Sequence, residues 1–181
     1  MTGEERHVVL DLLDSGEARL LGLTAGLSGA QWRFRETPER WSIAGNIEHL
    51  VVFENFILGV LQDLLAKPAE PEKAAGVAAK EPLVMAIGHA REKKISARDA
   101  MVPQGRWSDM QAMMAEFART RERVRAFAAD VQGDLRSRFF AHRSLGDLDA
   151  YQWLLVLGQH RARHALQIEE VMAHADFPRA R

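Results

Sequence analysis

The stretch GDLDAYQWLLVLGQHRARHALQIEEVMAH, residues 146–174, decides the fold, because it is long and its apolar positions follow the period of an α-helix. Asp147 is predicted to be its N-cap, since a short carboxylate there accepts hydrogen bonds from the free N–H groups of the first turn. One face of this helix carries the residues that recur at steps of three and four: Trp153, Leu157, His160, His164, Ile168 and Val171. The buried face therefore contains two histidines.

The spacing of His160 and His164 suits two ligands of one metal ion. Residues four apart on an α-helix are offset by about 40° around the axis and about 6 Å along it, so both imidazoles can reach an ion at about 2.0 to 2.1 Å. The alternative is a pair of partly buried histidines satisfied by hydrogen bonds or water. The zinc-protease pattern is excluded, because it needs a glutamate directly after the first histidine, and that position is Arg161.

The composition indicates a folded protein with a sizeable core. The 181 residues are 47% hydrophobic, which predicts a single domain over residues 1–181. Lys and Arg number 24 against 25 Asp and Glu, so the net charge of −1 disfavours electrostatic capture of nucleic acid or of an anionic membrane. The absence of cysteine excludes disulfides, thiolate metal ligands and a cysteine nucleophile.

The sequence shows no pattern typical of a targeting or membrane segment. The first residues, MTGEER, lack a basic region followed by an apolar one. No run reaches the roughly 18 consecutive apolar residues of a membrane span. We therefore expect a cytoplasmic protein.

Three further long helices are predicted before the last one. The first covers residues 3–27 and has one apolar face. The second follows Ser42, its predicted N-cap, and its run IAGNIEHLVVFENFILGVLQDLL is apolar almost all round, which predicts a central position. The third follows Ser108, also a predicted N-cap. The arginines of its RTRERVR segment, residues 119–125, fan around the axis, which indicates a solvated face.

The fold class is predicted to be all-α, a four-helix bundle, because no alternating strand pattern is visible. The second and third long helices are joined by about 40 residues, which is typical of a long crossover connection or of a flap over a site. A shorter helix is predicted within this connection, over residues 83–97. Gly158 in the last helix is expected to allow a close approach between helices.

The remaining histidines differ in their surroundings. His49 lies in the middle of the apolar second helix, where an unpaired buried polar group costs roughly 1 to 3 kcal/mol. A metal ion would supply a partner for His49. Asn46, one turn earlier, would either hydrogen-bond to a side chain that ligates the metal or make a local hydrogen bond within the bundle. His142, in the connection 132–146, is a candidate substrate contact or fourth ligand, with packing of the loop as the alternative. His89 has charged neighbours and is predicted to be exposed.

Two short motifs resemble a known family. The first is W-S-x-x-x-x-x-x-H-L, here Trp41, Ser42, His49 and Leu50. The second is a C-terminal pattern formed by Leu145, Gly146, Leu148, Trp153, His160, His164, Gln167 and Ile168. With the order of the helices, they resemble the DinB superfamily of bacterial damage-inducible proteins and its YfiT-like metal-dependent hydrolases, over nearly the whole chain. The resemblance extends to bacterial low-molecular-weight-thiol S-transferases and to mycothiol-dependent maleylpyruvate isomerase.

The resemblance implies a divalent metal ion held by three histidines, one from the second helix and two from the last. By position these are His49, His160 and His164. Three imidazoles leave coordination positions open for water or substrate, which is typical of a catalytic site, whereas structural zinc usually has four protein ligands. Imidazole ligation does not choose between Zn, Ni, Fe(II) and Mn.

Three residues of the last helix are candidates to contact a bound molecule. Gln167 lies one turn beyond His164, where its amide would orient a ligand or pack between helices. Tyr151 and Trp153, nearer the helix start, would line a cavity beside the ion or belong to the core.

Three hypotheses for the function follow. The leading one is a metal-dependent enzyme that transfers a low-molecular-weight thiol to a small electrophilic substrate, or isomerises it through a thiol adduct. The alternative enzyme is a hydrolase that uses metal-bound water and turns over without added thiol. The third is a non-catalytic bundle that dimerises or binds a ligand and carries no stoichiometric metal. A homodimer is compatible with leftover apolar surface, but the sequence identifies no interface.

Overall fold

The fold is built from four long helices and several short elements. The computed structural model describes residues 1–90 and 97–179. Its helices and strands are α1 Gly3–Thr24, α2 Gly29–Arg33, α3 Ile43–Leu65, α4 Ala74–Ala78, α5 Glu81–Ala86, α6 Met110–Asp130, β1 Phe139–His142, β2 Gly146–Asp149 and α7 Ala150–Met172. Two short 3₁₀ turns, Pro71–Lys73 and Asp99–Met101, lie between α3 and α6.

The start of α3 is as predicted, whereas the start of α6 is not. Ser42 caps α3, because its side chain accepts a hydrogen bond from the N–H of Gly45. The predicted cap Ser108 is wrong for α6. Asp109 is the cap, and its carboxylate accepts from the N–H of Ala112 at 2.8 Å.

The predicted cap of α7, Asp147, is also wrong. Asp147 pairs with Ala141 in the two strands, so its backbone is extended. Asp149 caps the helix instead, in a reciprocal arrangement with Gln152: each side chain accepts a hydrogen bond from the backbone N–H of the other residue. Strand pairing therefore decides which aspartate begins the helix.

A small antiparallel sheet, β1 with β2, precedes α7, so the prediction of an all-α fold without strands is wrong at this point. Gly146 begins β2 with a φ of +67°, a conformation that glycine adopts readily. The indole N–H of Trp153 donates to the carbonyl of Phe140 at 2.8 Å, which ties the sheet to α7. Each strand has four residues, too few for an alternating pattern to be evident in the sequence.

The first helix, α1, ends at Thr24, short of the predicted residue 27. The hydroxyl of Thr24 donates back to the carbonyl of Leu20 at 2.8 Å. Gly26 has a φ of +69°, at which the helix cannot continue.

The four long helices form a bundle in which α1 and α3 each contact both α6 and α7. Thirteen of the 23 residues of α3 are buried, which confirms its central position. Gly158 allows the predicted close approach: a Cβ at this position would lie 2.7 Å from the Cβ of Leu12 on α1. Two clusters of buried apolar side chains fill the interior.

The connection between α3 and α6 contains α4 and α5. Because α5 ends at Ala86, the short helix predicted over residues 83–97 is confirmed only in its first part. Residues 91–96 of that prediction lie outside the described residues. The crossover path of the connection stays a prediction.

One described helix, α3, is long and apolar enough to cross a membrane by length and composition. An apolar stretch of 18 residues within this helix is 61% buried inside the protein. Burial of this kind is typical of a core helix, so the length and composition of α3 are weak evidence for a membrane span.

The predicted solvated face of the RTRERVR segment is wrong at Arg121. This residue is 2% exposed and forms an ion pair with Glu17 of α1. Burial, followed by the charge of Arg161, lowers the pKa of Arg121 to about 9. Arg125 is exposed as predicted, and it pairs with Asp14 of α1. Arginine contacts therefore join α6 to α1.

Candidate metal centre

Three histidine side chains meet between α3 and α7. His49 comes from α3, and His160 and His164 lie one turn apart on α7. The Nε2 atom of His160 lies 3.3 Å from Nε2 of His49 and 3.1 Å from Nε2 of His164. One ring nitrogen of each residue lies within 4.8 Å of the other two. The fold thus brings together the three histidines that the resemblance implied.

The orientation of His49 is set by a backbone carbonyl. Its Nδ1 lies 2.8 Å from the carbonyl oxygen of Met101, which only accepts hydrogen bonds, so Nδ1 carries the proton. The Nε2 atom of the neutral ring then has a free lone pair. Burial lowers the pKa of His49, although the hydrogen bond to Met101 acts in the opposite direction. The neutral form, which can bind a metal, is therefore favoured.

The orientation of His164 is set by Asn46 of α3. The amide nitrogen of Asn46 donates to the carbonyl of Ser42 at 2.9 Å, so the amide oxygen faces His164. The Nδ1 of His164 donates to this oxygen at 2.8 Å, so Nε2 of the neutral ring carries no hydrogen. Asn46 therefore bonds to a histidine of the cluster across the helix interface.

His160 lies between the other two histidines. Its Nδ1 is buried and has no hydrogen-bond partner among the residues that the structure describes. Its ring packs against Phe53, with the ring centroids 4.1 Å apart. Burial, followed by the charges of His49 and Arg163, lowers the pKa of His160 well below 6.5, so its ring is neutral near pH 7.

This donor set fits a divalent cation better than a network of hydrogen bonds. The lone pairs of His49 and His164 both face Nε2 of His160, which carries at most one hydrogen. That hydrogen can bond well to only one of the two nitrogens at a time. A cation can instead accept an electron pair from all three nitrogens, and imidazole is a suitable ligand for several divalent first-row metals.

A cavity of about 140 Å³ opens beside the histidines. Three of the candidate contacts line it, namely His142, Trp153 and Gln167. Tyr151 does not line it and is a core residue, with its ring centroid 3.9 Å from the guanidinium of Arg136. Besides the triad, the other lining residues are Trp41, Phe53, Phe56, Ile57, Ile87, Ala97, Arg98, Met101, Phe140, Arg143, Val156 and Arg163.

His142 is a cavity residue and does not belong to the group of converging nitrogens. Its Nδ1 accepts a hydrogen bond from the N–H of Ser144 at 3.2 Å. Its ring centroid lies 5.5 Å from that of Trp153. Burial, followed by the charge of Arg98, lowers the pKa of His142, so it presents a neutral imidazole to the cavity.

The sequence analysis missed the contacts that hold the segment after Met101. Glu48 of α3 is 2% exposed, and its carboxylate accepts from the N–H groups of Gln104 and Gly105 at 2.7 and 2.9 Å. The same carboxylate pairs with Arg106 at 2.6 Å. An acidic residue inside an apolar helix was the available signal for Glu48. A backbone carbonyl such as that of Met101 leaves no signal in a sequence.

A buried ion pair lies next to the cluster. Arg161, which stands where a zinc protease has its glutamate, is fully buried, and its guanidinium pairs with both carboxylate oxygens of Glu54 at 2.6 and 2.7 Å. Arg161 also donates to the carbonyl of Leu13 at 3.0 Å. These contacts join α7 to α3 and α1 at Arg161, the residue directly after His160.

The chain is similar to known proteins along most of its length. A family model described as the DinB superfamily matches residues 12–168. The uncharacterized protein YuaE of Bacillus subtilis is 23% identical over 146 residues, which are 81% of this chain and 86% of YuaE. The structure is similar to YfiT from Bacillus subtilis, described as a probable metal-dependent hydrolase with an unusual four-helix bundle topology. That likeness has a TM-score of 0.57 at 13% identity, over 95% of this chain and 88% of YfiT.

Proposed function

The chain belongs to the DinB superfamily, and from this premise we propose that it is a divalent-metal-dependent enzyme acting on a small molecule in the cavity. His49, His160 and His164 would hold the ion, with Zn, Ni, Fe(II) and Mn as candidates. The observation that carries the proposal is the convergence of three Nε2 atoms, two of them in rings that carry their hydrogen on Nδ1, beside a cavity. The ion would supply Lewis acidity and lower the pKa of a water or thiol that binds next to it.

The side chains around the triad would position a substrate. Phe53, Phe140 and Trp153 give the cavity apolar walls, which exclude water and strengthen the polar interactions inside it. Gln167 carries an amide that can both donate to and accept from a bound molecule. His142 can donate a hydrogen bond from Nε2, because its Nδ1 accepts from the N–H of Ser144 and its ring is neutral near pH 7.

For the reaction, we propose transfer of a low-molecular-weight thiol to an electrophilic substrate, or isomerisation through a thiol adduct. The described residues that line the cavity include no aspartate or glutamate, so none of these side chains is a carboxylate that could deprotonate water. A thiol needs less help, since its pKa is about 8.5 against about 15.7 for water. The chain has no cysteine, so the thiol would be a co-substrate.

Hydrolysis is the second candidate reaction. It is favoured by YfiT, which is described as a probable metal-dependent hydrolase. The ion would lower the pKa of the attacking water in this case. The two reactions differ in their requirements, because hydrolysis needs no thiol.

The first experiment is elemental analysis of protein purified without chelator or polyhistidine tag. We expect about one metal ion per chain in the wild type and loss of the ion in His49→Ala and His160→Ala. His89→Ala is the matched control, because His89 is exposed and lies outside the cavity. A wild type that takes up no metal after incubation with Zn, Ni, Fe(II) and Mn would contradict the proposal and leave a non-catalytic binding module.

The second experiment separates the two reactions. The metal-loaded protein is offered small electrophiles, including esters and amides, with and without glutathione, bacillithiol or mycothiol. Products that contain the thiol sulfur, formed only when thiol is added, support transfer. Turnover at the same rate without any thiol supports hydrolysis and excludes the thiol requirement.

A further inference from the structure

The cavity beside the histidines has a wall of aromatic rings. The rings come from three elements: α3 contributes Phe53 and Phe56, β1 contributes Phe140, and α7 contributes Trp153. The ring centroids of Phe56 and Phe140 lie 6.2 Å apart, and those of Phe140 and Trp153 lie 5.4 Å apart. Both distances are typical of aromatic pairs in contact, so these three side chains form one aromatic surface.

Aromatic side chains also lie against the candidate metal ligands. The ring centroid of Phe53 is 4.1 Å from that of His160 and 6.0 Å from that of His49. The ring centroid of Trp41, which also lines the cavity, is 4.8 Å from that of His49. A molecule in contact with the aromatic lining is therefore next to the side chains that would hold the ion.

The aromatic wall is fixed by backbone contacts. The indole N–H of Trp153 donates to the carbonyl of Phe140 at 2.8 Å, and Trp153 is only 3% exposed. Phe140 in turn pairs with Leu148 in the two-stranded sheet. A wall that is already formed loses little conformational freedom when a ligand binds, which favours affinity.

The size of the cavity and the exposure of Phe56 indicate what would cover the wall. The volume of about 140 Å³ is close to that of an apolar protein cavity of about 150 Å³ that binds benzene. Phe56 is a large apolar side chain that is 39% exposed, with the guanidinium of Arg98 5.9 Å from its ring centroid. A ring bound in the cavity would remove apolar surface of Phe56 from water.

We propose that this cavity binds the single aromatic ring of a small substrate, in contact with Phe56, Phe140 and Trp153, and that the reacting substituent of the ring faces the three histidines. The inference rests on the proposed function, because it names the substrate class of the same site. Aromatic pairs in offset or edge-to-face contact gain free energy beyond the area that they bury. The site should therefore prefer an aromatic ring to a saturated ring of similar size.

The test follows the indole N–H signals of the tryptophans in two-dimensional NMR spectra of the full-length, ¹⁵N-labelled protein. Of the four tryptophans, Trp41 and Trp153 line the cavity, whereas Trp32 and Trp107 line a separate groove and serve as internal controls. Trp→Phe substitution at each position assigns the signals. The protein is titrated with benzyl alcohol and, in parallel, with cyclohexylmethanol, whose ring is saturated. Both probes are uncharged.

We expect benzyl alcohol to shift the signals of Trp41 and Trp153 and to leave those of Trp32 and Trp107 in place. Its affinity should exceed that of cyclohexylmethanol by about two- to tenfold, as for the additional free energy of aromatic contacts. Equal affinity for the two alcohols would overturn the proposal. Shifts confined to Trp32 and Trp107, or no shift up to the solubility limit of benzyl alcohol, would also overturn it.

Two variants test whether the ring lies in the cavity. Val156 lines the cavity and is 2% exposed, so Val156→Phe should fill the space and abolish binding. Phe56→Ala shortens the wall at a partly exposed position, where the fold should be retained, and should weaken binding several-fold. Phe34→Ala is the matched control, because Phe34 is partly buried against Phe177 and does not line the cavity.

Circular dichroism checks the fold of each variant, and Phe56→Ala decides the outcome if Val156→Phe does not fold. Affinity for benzyl alcohol as high in Phe56→Ala as in Phe34→Ala and the wild type would overturn the proposal. Undiminished binding in a folded Val156→Phe would also overturn it, since the ring would then be held elsewhere.

The outcome is separable from that of the proposed function, because the titrations are made once with chelator and once after incubation with zinc. Shifts at Trp41 and Trp153 in protein that takes up no zinc would support the aromatic ligand class while contradicting metal-dependent catalysis. Stoichiometric zinc without these shifts would overturn the ligand class and leave the metal proposal standing.

Discussion

The Nδ1 atom of His164 lies 2.8 Å from the amide oxygen of Asn46. Asn46 belongs to α3, the helix that also carries His49. Because the Asn46 amide is itself fixed by the carbonyl of Ser42, the proton of His164 is directed away from the cluster. The same residue that caps α3 thus also holds the amide that orients a candidate ligand.

Replacement of Asn46 should weaken metal binding. Asn46→Ala removes the acceptor of the His164 Nδ1 proton, and loss of such a contact typically lowers metal affinity by about 10- to 100-fold. Zinc affinity is measured by competition with a chromophoric chelator, and circular dichroism checks the fold. Asn55→Ala is the control on the same helix, since Asn55 bonds to Thr120 and not to a histidine. Equal zinc affinity in wild type and Asn46→Ala would refute the orienting role.

Replacement of Glu48 should act on His49 indirectly. Glu48→Gln removes the charge that holds the N–H groups of Gln104 and Gly105, so the carbonyl of Met101 loses its fixed position. We expect a loss of about 1 to 3 kcal/mol in the free energy of unfolding and a weaker zinc affinity.

Urea denaturation with and without zinc measures both effects. Glu72→Gln is the control, because Glu72 is exposed in the 3₁₀ turn Pro71–Lys73. An unchanged zinc affinity at reduced stability would show that the segment stabilises the fold without orienting His49.

Breaking the buried ion pair should be strongly destabilising. Glu54→Gln leaves the fully buried guanidinium of Arg161 without its counter-charge, which typically costs about 3 to 5 kcal/mol. Glu116→Gln, which breaks the exposed pair with Arg119, should cost less than about 1 kcal/mol. Thermal and urea unfolding measure the stability lost in each variant. Equal losses in the two variants would contradict the prediction.

The close approach of α1 and α7 should not tolerate a methyl group. In Gly158→Ala the new Cβ would lie 2.7 Å from the Cβ of Leu12, so the helices must separate, at a cost of about 1 to 3 kcal/mol. In Gly59→Ala on α3 the Cβ meets nothing within 4 Å, and the higher helix propensity of alanine should stabilise the protein by about 0.5 to 1 kcal/mol. Urea denaturation measures the free energy of unfolding of both variants. A decrease in Gly158→Ala and an increase in Gly59→Ala would confirm the contact.

The metal-free protein should lose stability as the pH falls below about 6.5. Burial lowers the pKa of His49 and of His160 in the folded state, so between the folded and unfolded pKa values the unfolded chain binds more protons. Each such group lowers the free energy of unfolding by up to about 1.4 kcal/mol per pH unit on acidification.

Unfolding by urea is measured from pH 7.5 down to pH 5 in the presence of chelator. His160→Gln should reduce the slope of stability against pH, whereas His89→Gln should not. If the slope of stability against pH were the same in His160→Gln as in the wild type, the buried imidazole of His160 would be excluded as the source of the pH dependence.

The sequence alone located the long helices and placed His160 and His164 on one face of the last one. Both predictions depend on local helix geometry, because residues that share one face of a helix recur in the sequence with a fixed period. The resemblance then pointed to His49 as the third residue of the cluster. Ser42 could be identified as a cap for the same local reason, because its side chain bonds three residues away.

Where two local choices competed, the sequence could not decide between them. Asp147 and Asp149 are both suitable caps, and pairing of β2 with β1 selected Asp149. Arg121 has the local sequence of a solvated face, but the packing of α6 on α1 buries it against Glu17.

The tertiary structure alone decided how the cluster is oriented and what surrounds it. Met101 lies 52 residues from His49, and Asn46 lies 118 residues from His164, so no local period relates these partners. The three cavity arginines likewise come from separate segments that meet only in the folded chain. Helical periodicity specifies which residues share a face, but the protonated nitrogens of His49 and His164 and the lining of the cavity depend on contacts that form when the helices pack.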